Sequence, residues 1–117
     1  MSADARDPIV TGERRTPVSA ELELEVPDPL AWCNGHFPGF AVVPGVVLVG
    51  WALAQGRRLF AIGAGGQTAL QVKFRRLVRP GDRLTLELRH VAASGRLSFA
   101  YRDGDELRST GHVTFRS

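Results

Sequence analysis

The sequence predicts an α+β fold in which an antiparallel sheet is wrapped around one long central helix. Several short segments alternate apolar and polar residues with a period of two, as strands with one buried face do. A single long apolar segment lies between the first of these segments and the others, and its composition is that of a buried helix. One helix cannot cover both faces of an open sheet, so we expect the sheet to curl around it.

The bulk composition indicates one globular domain. Of the 117 residues, 44% are hydrophobic and 23% are charged, as in ordinary folded proteins. Cys33 is the only cysteine, which excludes an internal disulfide and favours a reducing, cytoplasmic location. We expect no membrane span and no signal peptide, because prolines and glycines interrupt the longest apolar run and the N-terminus has no apolar core. The net charge of +3 favours an acidic partner, but no basic run suggests nucleic-acid binding.

The first part of the chain divides into a tail, a strand and a loop. Residues 1–17 are polar and aperiodic and are predicted to form a loose N-terminal tail, with one folded domain over residues 18–117. In "AELELEVP" three apolar residues alternate with three glutamates, which predicts a strand that ends at Pro27. Residues 28–45 are rich in proline and glycine. We interpret them as a structured loop, because their aromatic side chains would be costly to leave in water.

The helix is predicted to begin at Pro44, since proline suits the first position of a helix. Apolar residues surround it almost completely as far as Gln55, which indicates burial on most sides. Basic residues in its last turns are favourable at a helix C-terminus, and the glycines that follow are expected to end it. The helix side chains expected in the core are Val46, Val47, Leu48, Val49 and Leu53.

Four further strands are predicted after the helix, which makes five in all. They lie in "TALQVKFRRLV", "RLTLELRHV", "RLSFAYR" and "LRSTGHVTFRS", with turns at "PGD", "AASG" and "DGDE". An antiparallel sheet of this kind leaves edges to be paired or covered, so we expect dimerisation. His90 and His112 fall in these strands without metal-ligand spacing and are expected at the surface or at a strand edge.

Three linked motifs carry a resemblance to a known family. They are "GHFPG" at residues 35–39, "PGVV" at 44–47 and "KFRRLVRPGD" at 73–82. From about residue 20 to 115 the sequence resembles the hot-dog-fold β-hydroxyacyl-acyl-carrier-protein dehydratases. The form "PGVVLVGWALA" is most similar to the branch associated with aryl-polyene and related polyketide-type lipids.

The resemblance implies a 3-hydroxyacyl-[acyl-carrier-protein] dehydratase of fatty-acid or polyketide-type lipid biosynthesis. Such an enzyme removes water from a 3-hydroxyacyl thioester to give the trans-2-enoyl thioester. The resemblance also implies a homodimer, or a higher oligomer of dimers, with the site between subunits. No metal or redox cofactor is implied, and the substrate is carried on the phosphopantetheine of acyl carrier protein.

The resemblance also assigns roles to residues of this chain. The reaction needs a base at C2, an acid for the departing 3-hydroxyl and donors for the thioester oxygen. His36 matches the family's base, and Gly45 matches the position whose backbone N–H binds the thioester carbonyl. A helix N-terminus offers unpaired N–H groups, and a glycine allows a close approach to them. Substrate contacts are implied for Phe37, Pro38, Gly39, Val46 and Gly50. The carrier protein is expected at a basic rim of Arg57, Arg58, Lys73, Arg75 and Arg76, with Arg79 in the same set.

The family's second catalytic residue is missing. It is a Glu or Asp on the helix six residues after the motif proline, and here that position is Gly50, in a helix without any carboxylate. Loss of a positioned acid or base typically reduces the rate about 10²–10⁴-fold. A bound water or one of Cys33, Asn34, Gln55 and Asp28 could substitute, or the protein could be a weak dehydratase or hydratase.

Two other interpretations of Gly50 stay open. The chain could be a catalytically impaired acyl-thioester-binding homologue or the inactive subunit of a heterodimer whose partner brings the acid. It could also be a thioesterase, although that chemistry normally needs the same helix carboxylate.

Overall fold

The computed structural model describes residues 6–28, 42–62 and 66–115. These ranges contain one helix and six strands, and the strands form one antiparallel sheet of order β1-β2-β4-β5-β6-β3. The elements are β1 (Ile9–Arg15), β2 (Ser19–Glu25), α1 (Gly45–Leu59), β3 (Gln67–Phe74), β4 (Arg83–Val91), β5 (Arg96–Asp103) and β6 (Glu106–Phe115).

The central strands follow the alternation of the sequence. Leu22 on β2 lies opposite Leu86 on β4, and Leu86 lies opposite Tyr101 on β5. All three side chains are fully buried. Directly opposed residues of antiparallel strands point to the same face, so apolar rows of this kind form the inner face of the sheet. The prediction of half-buried strands from period-two patterns is confirmed here.

Strand β1 was not predicted from the sequence. Ile9–Arg15 pairs with β2, although residues 1–17 were expected to form a loose tail. Nearly all of its residues are exposed. A strand with both faces in water needs no apolar alternation and is stabilised by its backbone pairing, which explains why its sequence is aperiodic.

Helix α1 packs one face on the sheet. Its buried residues are Leu48, Val49, Trp51, Ala52, Gly56 and Leu59. Gly56 is required by this packing, because a Cβ atom there would lie 2.4 Å from Cδ2 of Leu97. Val47 and Leu53 are partly buried against the core, but Val46 is 78% exposed. The expectation of burial on most sides is confirmed as far as Gln55, because only Val46, Gly50 and Ala54 are exposed in that part of the helix. The expectation of Val46 in the core is wrong, because Val46 lies on this exposed stripe, which the sheet does not cover.

Tyr101 fastens the helix to the sheet. Its hydroxyl donates a 2.6 Å hydrogen bond to the carbonyl oxygen of Leu48. Burial raises the pKa of Tyr101 well above its usual value, because the phenolate would lose its hydration, and a backbone hydrogen bond with Ala52 opposes this only in part. The helix is thereby held at a defined rotation on the inner face of the sheet.

Strand β3 forms the edge of the sheet opposite β1. Leu70 lies opposite the buried Val113 and therefore points to the helix side of the sheet, and Phe74 lies four residues further on the same face. These two side chains are nevertheless 45% and 54% exposed. The edge thus leaves apolar surface uncovered in a single chain.

Candidate active site

The loop predicted to carry the base lies outside the described residues. This applies to His36, Phe37, Pro38 and Gly39, and also to Cys33 and Asn34 as substitutes for the missing acid. Their roles stay predictions. The site is built below from the other predicted residues.

The start of α1 has no side-chain cap among the described residues. The helix begins at Gly45, its N-cap residue is Pro44, and no described side chain accepts a hydrogen bond from its first N–H groups. The first N–H groups of a helix have no partner within the helix and carry the positive end of its dipole. The N–H of Gly45 therefore lies at the end of the helix that favours negative charge, and its role as the carbonyl donor stays a prediction.

Phe74 lies directly against Gly45. A Cβ atom on Gly45 would be 2.5 Å from Cζ of the Phe74 ring, so the close approach of this ring requires glycine. The backbone of the same region is also fixed, because Val43 N–H donates a 2.7 Å hydrogen bond to the carbonyl oxygen of the buried Val78. The helix start is thus held by the end of β3 and by the connection from β3 to β4.

The position of the missing acid is open. Gly50 is exposed, and a Cβ atom built on it would meet no atom of the described residues within 4 Å. Val46, one turn earlier, is exposed on the same side. A carboxylate side chain at position 50 would therefore fit without rearrangement of the described part of the chain.

Two of the predicted substitutes for the missing acid, Gln55 and Asp28, lie among the described residues. The side-chain oxygen of Gln55 accepts a 2.8 Å hydrogen bond from Nε of Arg58. Asp28 lies beyond the end of β2 in an exposed bend. Neither residue has a described contact with Gly45 or Gly50.

The predicted basic residues lie near opposite ends of α1. Lys73 and Arg75 flank Phe74 and so lie near Gly45, whereas Arg57 stacks on the ring of Phe115 at 5.0 Å. Gly45 and Arg57 are twelve residues apart, which is about 18 Å along a helix. One chain by itself therefore does not bring these residues into a single rim. Two members are also in ion pairs: Arg58 with Glu13 at 2.6 Å and Arg76 with Glu106 at 3.4 Å.

His90 and His112, the other two histidines, lie on strands β4 and β6. His90 is partly buried and stacks on Phe60 with ring centroids 5.7 Å apart, and His112 is partly buried on β6. No group of three or more potential ligands (His, Cys, Asp or Glu) that could hold a metal ion occurs in residues 6–28, 42–62 and 66–115. In the same ranges, no helix combines the length and the apolar character that crossing a membrane requires.

The ApeI-like family, described as ApeI dehydratase, matches residues 12–112. The chain belongs to the ApeI-like dehydratase family. The resemblance predicted from the three motifs is confirmed for the dehydratase family and its ApeI-like branch.

Curated relatives of this ApeI-like chain are 3-hydroxyacyl-[acyl-carrier-protein] dehydratases named FabZ. The protein from Lactiplantibacillus plantarum is 37% identical over 93 residues, which cover 70% of this chain and 63% of that protein. The protein from Oenococcus oeni is 39% identical over 88 residues, which cover 68% and 59%. The chain thus spans about three fifths of the length of these relatives.

Solved structures confirm the hot-dog fold predicted for this family member. A chain of the dehydratase heterocomplex ApeI:P from Xenorhabdus doucetiae superposes with a TM-score of 0.85 at 26% identity, covering 94% of this chain and 99% of that one. Thioesterase superfamily member 2 from Mus musculus has a TM-score of 0.66 at 9% identity, covering 89% and 85%, and shows the fold alone.

Two features of the site were not predicted. Phe74 was recognised only as an alternating strand residue, and its contact with Gly45 depends on how the edge strand lies beside the helix. Arg108 was not singled out either, because a single arginine within a strand matches no sequence motif. Its side chain binds Leu77 in the connection from β3 to β4, which supports the start of α1.

Proposed function

We propose that this ApeI-like protein is a 3-hydroxyacyl-[acyl-carrier-protein] dehydratase that gives the trans-2-enoyl thioester. The observation that carries the proposal is the uncapped N-terminus of α1 at Gly45, in a chain of a dehydratase family. The FabZ proteins to which the chain is similar support the substrate class.

In the proposed mechanism His36 serves as base and proton shuttle. Its neutral imidazole removes the C2 proton while the N–H of Gly45 stabilises the negative charge that builds on the thioester oxygen. The C2=C3 double bond forms as the C3–O bond breaks. The imidazolium then returns its proton to the departing hydroxyl, which leaves as water. No electron is gained or lost overall, so the proposal includes no metal or redox cofactor.

We further propose that two copies pair along β3. Within the described part of the chain this strand has no partner on its outer side, and it carries the exposed apolar residues Leu70 and Phe74. Antiparallel pairing of two β3 strands about a two-fold axis would satisfy the free backbone groups and cover these side chains. The site would then lie between the subunits, and larger assemblies would be oligomers of this dimer.

Such a dimer would also bring together the basic residues that lie near opposite ends of α1 in one chain. Within one chain α1 runs antiparallel to β3. The start of α1 lies at the end of β3, because Gly45 contacts Phe74. The end of α1 lies near the start of β3, because Arg57 contacts Phe115, which pairs with Gln67. The two-fold axis would therefore place Arg57 of one copy near Lys73 and Arg75 of the other. We propose that this rim receives acyl carrier protein by charge attraction, which mainly accelerates the encounter.

A second candidate function is supported by Gly50. The chain could be the subunit of a heterodimer whose partner supplies the carboxylate, or a binder of acyl thioesters without its own activity. The open space at Gly50 and the heterocomplex formed by the Xenorhabdus doucetiae structure favour this alternative.

One assay distinguishes the two functions. Hydration of a 2-enoyl-carrier-protein substrate is measured for the native protein and for His36→Ala and Gly50→Glu. The dehydratase proposal predicts native activity that is lost in His36→Ala and rises in Gly50→Glu. Activity that is absent from the native protein and occurs only in Gly50→Glu would refute it and support the partner subunit.

A further inference from the structure

Arg108 on β6 makes an unusual number of polar contacts for a side chain that is only 15% exposed. Its Nη1 donates a 2.6 Å hydrogen bond to the carbonyl oxygen of Leu77 and lies 3.5 Å from Oδ2 of Asp82. Its Nη2 donates to Oδ2 of Asp103 at 2.8 Å, and its Nε forms an ion pair with Glu106 at 2.7 Å. One guanidinium therefore contacts three carboxylates and one backbone carbonyl.

The backbone of Arg108 binds the same region as its side chain. Its carbonyl oxygen accepts hydrogen bonds from the N–H groups of Arg75 at 2.9 Å and Arg76 at 3.0 Å. Asp82, held by the guanidinium, in turn accepts a 2.9 Å hydrogen bond from the N–H of Arg79. The connection between β3 and β4, residues 75–82, is thus attached to Arg108 at its beginning, middle and end.

This β3–β4 connection supports the start of α1. The carbonyl oxygen of Val78 accepts the hydrogen bond from Val43, two residues before Gly45. The connection also begins next to Phe74, whose ring lies against Gly45. A displacement of the connection would therefore move the backbone on both sides of the helix start.

We infer that Arg108 is a positioning residue for the chemistry at the helix start. It fixes the β3–β4 connection, which fixes the N–H of Gly45 where the thioester oxygen is bound. The effect of Arg108 on catalysis rests on the proposed function. The structural link from Arg108 to α1 is independent of that function. A misplacement of about 1 Å in such a site can reduce the rate about 10²-fold.

The kinetic test compares Arg108→Met and Arg108→Lys with Arg102→Met. Arg102 on β5 is a matched control, because it pairs with Glu87 and has no described contact with the β3–β4 connection. With folded protein, we expect kcat to fall about 10–100-fold in Arg108→Met with KM unchanged within about threefold, and less in Arg108→Lys. Arg102→Met should retain the native kcat. Equal kcat values in Arg108→Met and Arg102→Met would overturn the inference.

A second measurement does not depend on activity. Hydrogen–deuterium exchange is followed for the amides of Val43, Val47 and Leu48. We expect faster exchange in Arg108→Met than in Arg102→Met, at a temperature where far-ultraviolet circular dichroism shows both to be folded. Unchanged exchange in folded Arg108→Met would overturn the inference. If the native protein lacked hydratase activity but the two variants still differed in exchange, the proposed function alone would be refuted. The structural link from Arg108 to α1 would then be confirmed.

Discussion

The packing of Phe74 on Gly45 predicts a specific coupling between the two residues. In Gly45→Ala the new Cβ atom would lie 2.5 Å from Cζ of Phe74, whereas carbon atoms in contact are normally about 3.5 Å apart. The ring would have to move by about 1 Å. Overpacking of this kind costs about 1–3 kcal/mol, and the lower half of that range is expected because Phe74 is half-exposed on an edge strand.

A double-mutant cycle measures this coupling. The free energy of unfolding is obtained from urea denaturation of the native protein, Gly45→Ala, Phe74→Ala and the double variant. We expect Gly45→Ala to destabilise the native protein by about 1–2 kcal/mol and to cost almost nothing once Phe74 has been truncated. An equal cost in both backgrounds would refute the contact. Gly50→Ala is the matched control and should stabilise the isolated chain by about 0.5–1 kcal/mol, since alanine is favoured in a helix and no described atom opposes its methyl group.

Two further predictions concern the helix anchor and the sheet edge. Because burial raises the pKa of Tyr101, the folded protein keeps its phenol proton at a pH where the unfolded chain loses it, so stability should fall as the pH rises above about 10. In urea unfolding, Tyr101→Phe should reduce the loss of unfolding free energy with rising pH. Tyr101 is the only tyrosine, so tyrosinate absorbance of the folded native protein near pH 10 would contradict the reasoning. Leu70→Glu should convert the proposed dimer to a monomer in analytical ultracentrifugation, because the free edge of β3 would carry a charge, whereas Val91→Glu on β4 should not. A dimer that persists in Leu70→Glu would show that β3 does not form the interface.

The fold was predictable where side-chain pattern and burial coincide. Strands β2, β4 and β5 bury every second residue, and this period was visible in their apolar side chains. Strand β1 was missed because both of its faces are wet, so its pairing depends on backbone hydrogen bonds that leave no pattern in the sequence. The exposure of Val46 was missed for the related reason that an apolar helix face does not reveal whether this chain or another molecule covers it.

The site was predictable only as far as local motifs extend. The motif "PGVV" predicted the start of α1 at Pro44, one residue before the helix begins, because Pro44 has extended backbone angles and is the N-cap residue. The support of the helix start by Phe74 and Arg108 could not be predicted, because these residues lie about 30 and 60 positions further along the sequence. They come near the helix start only because of the order of strands β5, β6 and β3 in the sheet. For the same reason, the separation of Arg57 from Arg75 became visible only once the direction of α1 relative to β3 was known.

Three glycines of α1 differ in what explains them. Gly45 is explained by the ring of Phe74 and Gly56 by the side chain of Leu97, since each would collide with a Cβ atom. Gly50 has no such neighbour among the described residues, yet a glycine in the helix interior costs about 1 kcal/mol relative to alanine. If Gly50→Ala stabilises the isolated chain as predicted, the described packing gives no reason for this glycine. Its reason must then lie in what approaches the exposed face of α1, which under the proposed function is the substrate or the second subunit.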